Sequence, residues 1–566
     1  MIHSHRILFT GLSGLLLLPS AQAQPPDAGA LQQQQQQQTQ RERERRLPQA
    51  QAPDAPAPLM PTAPGDVQVE VKSFRFIGNS LLTDAQLQPA VAPFSNRALD
   101  FAQLQAAAMA VAQVYRAAGW VVNAYLPAQD IVNGQVSIQI VEARFGKLIA
   151  EGEISRMPQA RALAPFTARQ QPGDFLNSQK LDRALLIADD LPGVTLSASL
   201  RPGEQEQETD VLIKLADEPL LMGDASLDNH GARSTGEERL NLSTILNSPL
   251  GLGDRLVANF THTQGSDYLQ LLFNLPVGND GWRLGASASI MDYDLITPEF
   301  RALDGYGRSS TLGLESLYPL IRSRQQNLYF YANLERKDFS NDANQARTSD
   351  YRVDNLGLSL FGNHFDNFGG GGANSGNLNL VFGRVDLDGS PNQALDAAGA
   401  DTQGSFTKLR YQFSRQQAIT PDLSLFGAWS GQQASKNLDS AEKFYLGGAY
   451  GVRAYPANEG AGSEAQMVNL ELRQQLPKGF NLAAFYDWGQ VTQNVDDAFA
   501  GAPNPNRYEL KGYGLSLSWQ TPLGLNLNAT WARRDGDNPN ADPLTGRDQD
   551  GSLDRDRIWL SASIPF

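Results

Sequence analysis

From Pro219 to the C-terminus, the chain alternates apolar residues with polar or small ones and lacks the longer spacing of amphipathic helices. In the last segment, one face carries Ile558, Leu560, Ala562, Ile564 and Phe566. Segments of about 10 residues with one apolar and one polar face are typical of transmembrane β-strands. Because every backbone group in lipid must be paired, a sheet of such strands has to close on itself. About sixteen segments of this kind predict a transmembrane β-barrel of antiparallel strands over residues 217–566.

The connections between these segments alternate in length. Counted from the N-terminal side, the even connections are short, as at 248–253, 277–280 and 476–479. The later odd connections are long, with 337–350 among them, and the even connection at 363–374 is longer than its place predicts. Short turns on one side and long loops on the other are typical of outer-membrane barrels, whereas a water-soluble β-sandwich predicts no such asymmetry.

Composition excludes several other classes of protein. The 566 residues include no Cys, so we expect no disulfide framework and no thiolate metal site. The formal net charge of −15 argues against a nucleic-acid partner, because phosphates require a basic protein face. A mean hydropathy of −0.36 excludes a protein of many transmembrane helices. It does not exclude a barrel, because half of each barrel strand faces a polar lumen.

The sequence does not predict an enzyme. Beyond residue 23 only His230, His262 and His364 remain, and they are too scattered for a metal motif. Hydrolase, metalloprotease and phosphate-loop signatures are missing, so we expect no catalytic residue, no cofactor and no metal. The acidic segment 535–551 has a composition similar to calcium loops but lacks the EF-hand spacing, which favours a solvated loop.

The N-terminal region predicts export from the cytoplasm. Residues 1–23 fit a signal peptide with a positive start, a short apolar core and a small-residue cleavage site. Residues 24–47 are rich in Gln and Arg and predict a solvated helix, with a disordered polar tract as the alternative. The Pro-rich segment 48–66 predicts an extended linker. Its reach of about 60 Å exceeds a membrane thickness of about 40–45 Å, so it can tether a helix across a pore.

Two segments between the linker and the barrel share one order of elements. Residues 67–144 and 145–216 each read as strand, helix, helix, strand, strand, which is an internal repeat. Asp100 and Asn177 stand before the second helix of each repeat, where residues of this type cap helix N-termini. The sequence therefore predicts two small α+β domains ahead of the barrel.

One loop interrupts the strand pattern. Residues 444–456 read FYLGGAYGVRAYP and lie in the long loop 434–462. The positions that set this loop apart are Gly447, Gly448, Val452, Arg453 and Tyr455. We predict that the loop folds into the barrel lumen with its arginine at the tip. A long surface loop with a solvated arginine is the alternative interpretation.

A downstream strand offers the arginine a partner. By the alternation of this strand, Phe485, Asp487 and Gly489 point into the lumen. A lumen carboxylate must be hydrated or paired, and a glycine leaves room for an approaching loop. We predict that Arg453 meets Asp487, with a lone hydrated carboxylate as the alternative.

Together these features resemble one family, the TpsB transporters of two-partner secretion, which includes haemolysin activators and the filamentous haemagglutinin transporter. The repeats resemble POTRA domains through IGNSLLTDAQL and YRAAGWVVNAYLPAQDI. FYLGGAYGVRAY is similar to the family's sixth extracellular loop, with its FxLGG and VRGY elements, and FYDWGQV to its F-x-D-x-G wall element. Ala454 stands where the family has glycine. If that position needs a positive φ, alanine costs about 1 kcal/mol.

The resemblance implies protein transport at the outer membrane of a Gram-negative bacterium. POTRA 1 (67–144) and POTRA 2 (145–216) would bind a large exoprotein in the periplasm, and the pore would export it without ATP. The class of exoprotein stays open between an adhesin, a haemolysin and a contact-dependent toxin. The family also implies that the N-terminal helix plugs the resting pore. Phe566 would belong to the sorting signal for insertion into outer-membrane lipid by the barrel assembly machinery.

Two other functions remain open at this point. A barrel-assembly insertase shares the loop and wall motifs, although it usually carries more POTRA repeats. A passive porin is the second alternative, but it needs neither periplasmic repeats nor a loop that carries VRAY.

Overall fold

A computed structural model of the chain describes residues 25–45, 68–205 and 207–566. The predicted signal peptide at 1–23 and the predicted linker at 48–66 lie outside the described residues. Helix α1 (Ala28–Arg45) forms from the Gln-rich segment. Of the helices in the described part of the chain, none has both the length and the apolar character needed to cross a membrane.

Seven elements form a first α+β unit. They are β1 (Val69–Val71), β2 (Ser73–Ile77), α2 (Asp84–Val91), β3 (Arg97–Leu99), α3 (Phe101–Ala117), β4 (Val122–Tyr125) and β5 (Gln135–Glu142). Strands β2, β5 and β4 form a sheet in that order, with β2 parallel to β5 and β4 antiparallel to it. The Asp100 carboxylate accepts a hydrogen bond from the Gln103 N–H at 2.8 Å, which caps α3. Apolar side chains of α3 and the sheet share one core.

A second α+β unit repeats this arrangement. Its elements are β6 (Arg144–Glu151), α4 (Gln159–Thr167), α5 (Ser178–Asp189), β7 (Val194–Pro202) and β8 (Glu208–Asp217). The sheet order is β6-β8-β7, with β6 parallel to β8. The Ser178 N–H donates to the Gly119 carbonyl at 2.8 Å, so α5 begins where the polypeptide leaves α3. This backbone contact fixes the two units to each other.

The rest of the chain forms a closed barrel of sixteen antiparallel strands. In chain order, including two short strands and a helix in loops, the elements are β9 (Leu221–Asp228), β10 (Arg239–Asn247), β11 (Arg255–Thr263), β12 (Ser266–Val277), β13 (Trp282–Asp294), β14 (Tyr306–Arg322), β15 (Gln326–Ala343), β16 (Ala346–Asp366), β17 (Gly372–Asp386), α6 (Gln393–Ala398), β18 (Gly404–Ala418), β19 (Leu423–Ala434), β20 (Phe444–Tyr445), β21 (Ala461–Gly462), β22 (Glu464–Leu476), β23 (Phe480–Thr492), β24 (Arg507–Gln520), β25 (Asn526–Arg534) and β26 (Asp556–Pro565). Strands β20 and β21 pair only with each other, and β26 pairs with β9 to close the barrel. This confirms the predicted fold class.

The two faces of the barrel strands differ as the alternation predicts. Outward-facing leucines such as Leu312, Leu314 and Leu560 are exposed on the outer surface. Alternate residues point inward, where the lumen buries them. Apolar side chains therefore face the lipid and polar ones the lumen, which is the arrangement expected of a membrane barrel.

The long loop predicted at 337–350 is wrong, because β15 and β16 continue to a two-residue turn at 344–345. Asn344 and Gln345 have φ of 49° and 63°, as a tight hairpin turn requires. The outward face of this hairpin carries ion pairs such as Arg352 to Asp338, at 2.9 Å. Above the lipid both faces of a strand contact water, so the apolar alternation disappears although the strands continue.

The even connection between β16 and β17 is shorter in the structure than the predicted range 363–374. The turn covers 367–371, between β16 and β17. Its glycines at 369–371 have φ of +59°, +98° and +103°, so the backbone reverses within a few residues. With this turn included, the even connections are all short.

The second α+β unit contacts the end of the barrel that carries the short turns. Asp190, at the end of α5, forms two hydrogen bonds of 2.8 Å with Arg322. Arg183 donates to the Pro319 carbonyl at 2.7 Å, and Arg169 forms an ion pair with Asp280. These contacts hold the unit beneath the mouth of the barrel.

Candidate functional site in the barrel lumen

The connection between β19 and β22, residues 435–463, folds back into the barrel, and we call it the lumen loop. A Cβ on Gly447 would lie 1.9 Å from a carbonyl oxygen of the loop, and Gly448 has a φ of +99°. The Val452 N–H donates at 2.7 Å to a carbonyl oxygen on the opposite limb of the turn. The glycines and Val452 thus form a tight turn that presents Arg453.

The structure brings Arg453 and Asp487 together. Arg453 Nε lies 2.9 Å from Asp487 Oδ2, and Arg453 Nη2 lies 2.8 Å from Asp487 Oδ1. The Arg453 backbone N–H also donates to Asp487 Oδ2, at 3.1 Å. Asn469 on β22 donates to Asp487 Oδ1 at 2.7 Å, so the carboxylate is held from the wall as well. A two-bond arginine–carboxylate pair of this kind fixes both position and orientation.

Sequence reasoning missed a second carboxylate at the same arginine. Arg453 Nη1 lies 2.8 Å from Glu471 Oε1, and Arg473 Nε donates to Glu471 Oε2 at 2.8 Å. Glu471 stands two residues after Asn469, whose Cα partner across the sheet is Asp487. The alternation of β22 therefore places Glu471 on the lumen face, and applying it to this strand would have found the residue. We call Arg453, Asp487 and Glu471 the tip anchor.

The other two predicted wall residues also face the loop. The Arg453 guanidinium carbon lies 3.4 Å from the centroid of the Phe485 ring, a cation–π contact. A Cβ on Gly489 would lie 2.8 Å from Leu446 Cδ2 and 3.1 Å from Val452 Cγ2. The missing side chain at Gly489 therefore lets the turn of the lumen loop pack against the wall.

The tip of the loop also contacts strands that sequence reasoning did not connect with it. Tyr455 is fully buried, and the Arg534 guanidinium carbon lies 4.6 Å from its ring centroid. Trp559 Nε1 on β26 donates to the Arg453 carbonyl at 2.8 Å, and Arg534 Nε on β25 donates to the Ala454 carbonyl at 3.3 Å. The tip thus spans the lumen face from β22 to β26.

Ala454 fits this site without backbone strain. It is not among the residues with a positive φ, so the cost considered for alanine does not arise. Space for its methyl group comes from Gly512 on β24, where a Cβ would lie 2.6 Å from Ala454 Cβ. Alanine at 454 and glycine at 512 therefore complement each other in size.

Helix α1 lies inside the same lumen. Its first turn contacts the wall through the Ala28 N–H, which donates to Asn341 Oδ1 at 2.8 Å. Farther along, Gln32 Nε2 donates to Thr311 Oγ1 at 2.7 Å, and Arg239 Nη1 donates to Gln38 Oε1 at 2.9 Å. Asn341 precedes the β15–β16 turn at the loop end of the barrel, so the helix begins near that end and runs toward the α+β units.

The helix and the lumen loop do not fill the lumen completely. A cavity of about 730 Å³ remains beside α1. Its wall is rich in amide and hydroxyl side chains, among them Asn241, Asn259, Asn333, Asn355, Asn377 and Asn379. Such a wall offers hydrogen bonds to many kinds of backbone and side chain, and charged side chains of both signs, such as Lys408 and Glu442, also line it.

The C-terminal residue lies at the closing seam of the barrel. The Phe566 N–H donates to the Gly223 carbonyl at 2.9 Å, and the Gly223 N–H donates back to Phe566 at 2.9 Å. A Cβ on Gly223 would lie 2.6 Å from the Phe566 ring, so the ring packs over that glycine. Its role as a sorting signal stays a prediction.

Among the described residues, no group of three or more His, Cys, Asp or Glu is arranged to hold a metal ion. The acidic segment 535–551 is held by hydrogen bonds within it and by ion pairs of its aspartates with Arg534 and Arg557. The Asp542 carboxylate accepts from the Leu544 N–H at 3.0 Å and from the Thr545 N–H at 2.6 Å. These contacts define a turn in a loop between β25 and β26.

Comparison with protein-family models identifies two regions. Residues 207–519 match the model described as haemolysin secretion/activation protein ShlB/FhaC/HecB. The chain belongs to this family. Residues 69–143, which include the first α+β unit, match the POTRA domain of ShlB type. The family consists of two-partner secretion transporters of the Gram-negative outer membrane, which confirms the predicted family, location and transport function.

Curated relatives span most of the chain. The heme/hemopexin transporter protein HuxB of Haemophilus influenzae is 26% identical over 476 residues, covering 81% of this chain and 80% of the relative. The outer membrane transporter CdiB of Dickeya dadantii is 24% identical over 414 residues, covering 72% of each chain.

Solved structures show the same fold. CdiB from Escherichia coli superimposes with a TM-score of 0.67 and 23% identity, covering 96% of this chain and 99% of that one. A BamA structure from Haemophilus ducreyi gives a TM-score of 0.51 at 14% identity, covering 88% of this chain. At these identities the likeness establishes the arrangement of barrel and α+β units.

Proposed function

We propose that this chain exports one large exoprotein through its barrel, with α1, which rests on the lumen loop, as a movable closure. The content of the lumen carries this proposal. Both segments are held in the barrel by side-chain contacts and not by pairing in the sixteen-stranded sheet. A closure of this kind suits a pore for a polypeptide, which must be wide when used and shut at rest.

The partner is recognised in the periplasm by the two α+β units, which we propose to be POTRA 1 and POTRA 2. Strands β2 and β4 are the edges of the first sheet, and β6 and β7 are those of the second. Such edges present unpaired backbone groups that can accept a strand from an extended partner. Because the second unit contacts the barrel turns, a strand bound there lies beside the pore.

Export in this proposal needs no catalysis, ATP, cofactor or metal. Folding of the exoprotein outside the cell makes its return unfavourable and so supplies direction. We further propose that the exposed leucines of the outer face contact outer-membrane lipid and that the barrel assembly machinery inserts the chain. The exoprotein is an adhesin, a haemolysin or a contact-dependent toxin.

A barrel-assembly insertase is the second candidate, because the BamA likeness extends over most of the chain. That likeness concerns the fold alone. A helix from the chain's own N-terminus inside the lumen favours export, because it closes the route that an exported polypeptide takes.

The test pairs this chain with a large secreted protein encoded beside it and measures that protein in the medium. Removal of residues 69–143 should abolish export while the barrel still resists heat denaturation on gels. If export persists without this unit, the proposed recognition is wrong. If export is absent with the intact chain but outer-membrane proteins assemble poorly in its absence, the insertase function is correct.

A further inference from the structure

The lumen loop has a second buried charge, which contacts other barrel strands than its tip does. Glu442 lies in the first limb of the loop, before β20. Its side chain is about as buried as that of Arg453, with 1% and 2% of the residue exposed. An ionised carboxylate is costly to bury without partners, so its surroundings decide its effect.

Three wall side chains surround the Glu442 carboxylate. Lys337 Nζ on β15 lies 3.0 Å from Glu442 Oε1, and Lys408 Nζ on β18 forms an ion pair with Oε2. Asn355 Nδ2 on β16 donates to Oε1 at 2.8 Å. We call Glu442, Lys337, Lys408 and Asn355 the limb anchor. It contacts β15, β16 and β18, whereas the tip contacts the β22–β26 face, and β19 lies between the two groups of strands.

The backbone of Glu442 is held by the wall as well. Its carbonyl accepts from Lys408 Nζ at 3.0 Å and from Gln432 Nε2 on β19 at 3.1 Å. Side chain and backbone of one residue are therefore fixed at once. Because Glu442 is fixed, the orientation of the next backbone carbonyl, that of Lys443, is restricted as well.

The Lys443 carbonyl is a contact point for α1. It accepts hydrogen bonds from Gln33 Nε2 at 3.1 Å and from Gln37 Nε2 at 2.7 Å, and Arg410 Nη2 on β18 also donates to it at 3.2 Å. The Tyr445 backbone continues the contact, because its N–H donates to Gln37 at 3.2 Å and its carbonyl accepts from Arg41 at 2.7 Å. The helix thus rests on the backbone that the limb anchor positions.

We propose that Glu442 is a positioning residue that holds α1 in the lumen, through the backbone of the loop limb. Neutralising Glu442 removes the ion pairs of its side chain with Lys337 and Lys408 and leaves the limb held only by hydrogen bonds to its backbone, so the Lys443 carbonyl moves away from the helix more easily. The tip anchor remains intact in that state. The inference rests on the proposed function only in treating α1 as the closure of the pore.

The test uses Glu442→Gln and measures exposure of the helix directly. The chain has no cysteine, so Gln36→Cys, in a helix position that lines the cavity, provides a single thiol for a maleimide reagent added to outer membranes. A lost charge-assisted hydrogen bond corresponds to about a tenfold or larger change in an equilibrium. We expect E442Q to raise the labelling rate at position 36, and the ion conductance in planar bilayers, by at least about that factor.

A matched control is Glu509→Gln, which removes a carboxylate 2.8 Å from Lys511 Nζ in a partly exposed pair on the barrel. It should leave labelling and conductance unchanged. Labelling of E442Q at the rate of E509Q, with both barrels heat-resistant on gels, would overturn the inference. These readouts need no exoprotein, so the proposed export function is tested separately.

Discussion

The lumen loop is fixed to the barrel at two places with opposite arrangements of charge. At the tip anchor a loop cation, Arg453, faces two wall carboxylates. At the limb anchor a loop anion, Glu442, faces two wall lysines. The tip contacts strands β22–β26, whereas the limb contacts β15–β19 and also supports α1. We infer that the tip fixes the path of the loop and the limb fixes the helix.

Removing the wall carboxylate at the tip should have the largest effect. Breaking a buried ion pair by removing one partner costs roughly 3–5 kcal/mol. Glu471 stays within 2.8 Å of Arg453 and offsets part of this loss. We expect Asp487→Asn to lower export of the exoprotein more than tenfold. A tenfold change corresponds to a free-energy difference of about 1.4 kcal/mol. Because the limb is intact, labelling at position 36 should change far less than in E442Q.

A charge exchange sharpens the test of the tip anchor. In R453D/D487R the new carboxylate at 453 faces Glu471, so this double variant should recover little export. Adding Glu471→Gln removes the repulsion, and the triple variant should export more than either single charge reversal. Equal export by the triple variant and the single reversals would show that the pair does not act through its charge.

A packing change at the tip should have a smaller effect. Gly512→Ala places a methyl group where a Cβ would lie 2.6 Å from Ala454 Cβ. Overpacking of this kind costs about 1–3 kcal/mol. We expect export to fall severalfold in G512A and to return in A454G/G512A, measured in the medium. A failure of the second change to restore export would mean that the two positions are not matched in size.

The smallest expected effect concerns the far limb of the loop, which is held without an ion pair. Burial raises the pKa of Glu459 to about 7, and its carboxyl group contacts the Gln549 N–H at 3.0 Å in the β25–β26 loop. In the docked loop the group stays protonated up to about pH 7, whereas a released loop ionises above about pH 4.5. Docking is therefore strongest below that window and weakens as pH rises through it.

Hydrogen exchange of the β25–β26 loop at pH 5 and pH 8, corrected for the intrinsic rate, measures this effect. Protection should be lower at pH 8. In Glu459→Gln it should not depend on pH in this range. The same pH dependence in both proteins would exclude Glu459 as its source.

The barrel could be predicted from sequence because lipid imposes a strict alternation on each strand. The same rule placed Asp487 in the lumen, and glycine at 489 indicated an approaching loop. The alternation is imposed only where a strand contacts lipid. Above the lipid the strands around Asn344 continue without it, so the sequence predicts a loop where the structure has a hairpin.

The limb anchor could not be found in the same way. Lys337 lies in the part of β15 for which the sequence predicts a loop, and Glu442 lies in a loop without periodicity. Their contact depends on how the loop crosses the lumen, which only the closed barrel determines. Similarly, the size match between Ala454 and Gly512 joins residues with no motif in common, so it becomes visible only when the loop lies against β24.

The central claim is that α1 must leave its resting place for a polypeptide to pass, while the lumen loop stays anchored at its tip. Gln32 Nε2 and Thr311 Oγ1 lie 2.7 Å apart, and the chain has no native cysteine. Because the glutamine side chain spans part of the distance to the wall, a short bifunctional thiosulfonate reagent can link the two thiols of Q32C/T311C through mixed disulfides, and we call the linked form the oxidised protein. We predict that the oxidised protein exports nothing and that reduction restores export, while each single cysteine variant exports under both conditions. Equal export by the oxidised and reduced double variant would contradict the account.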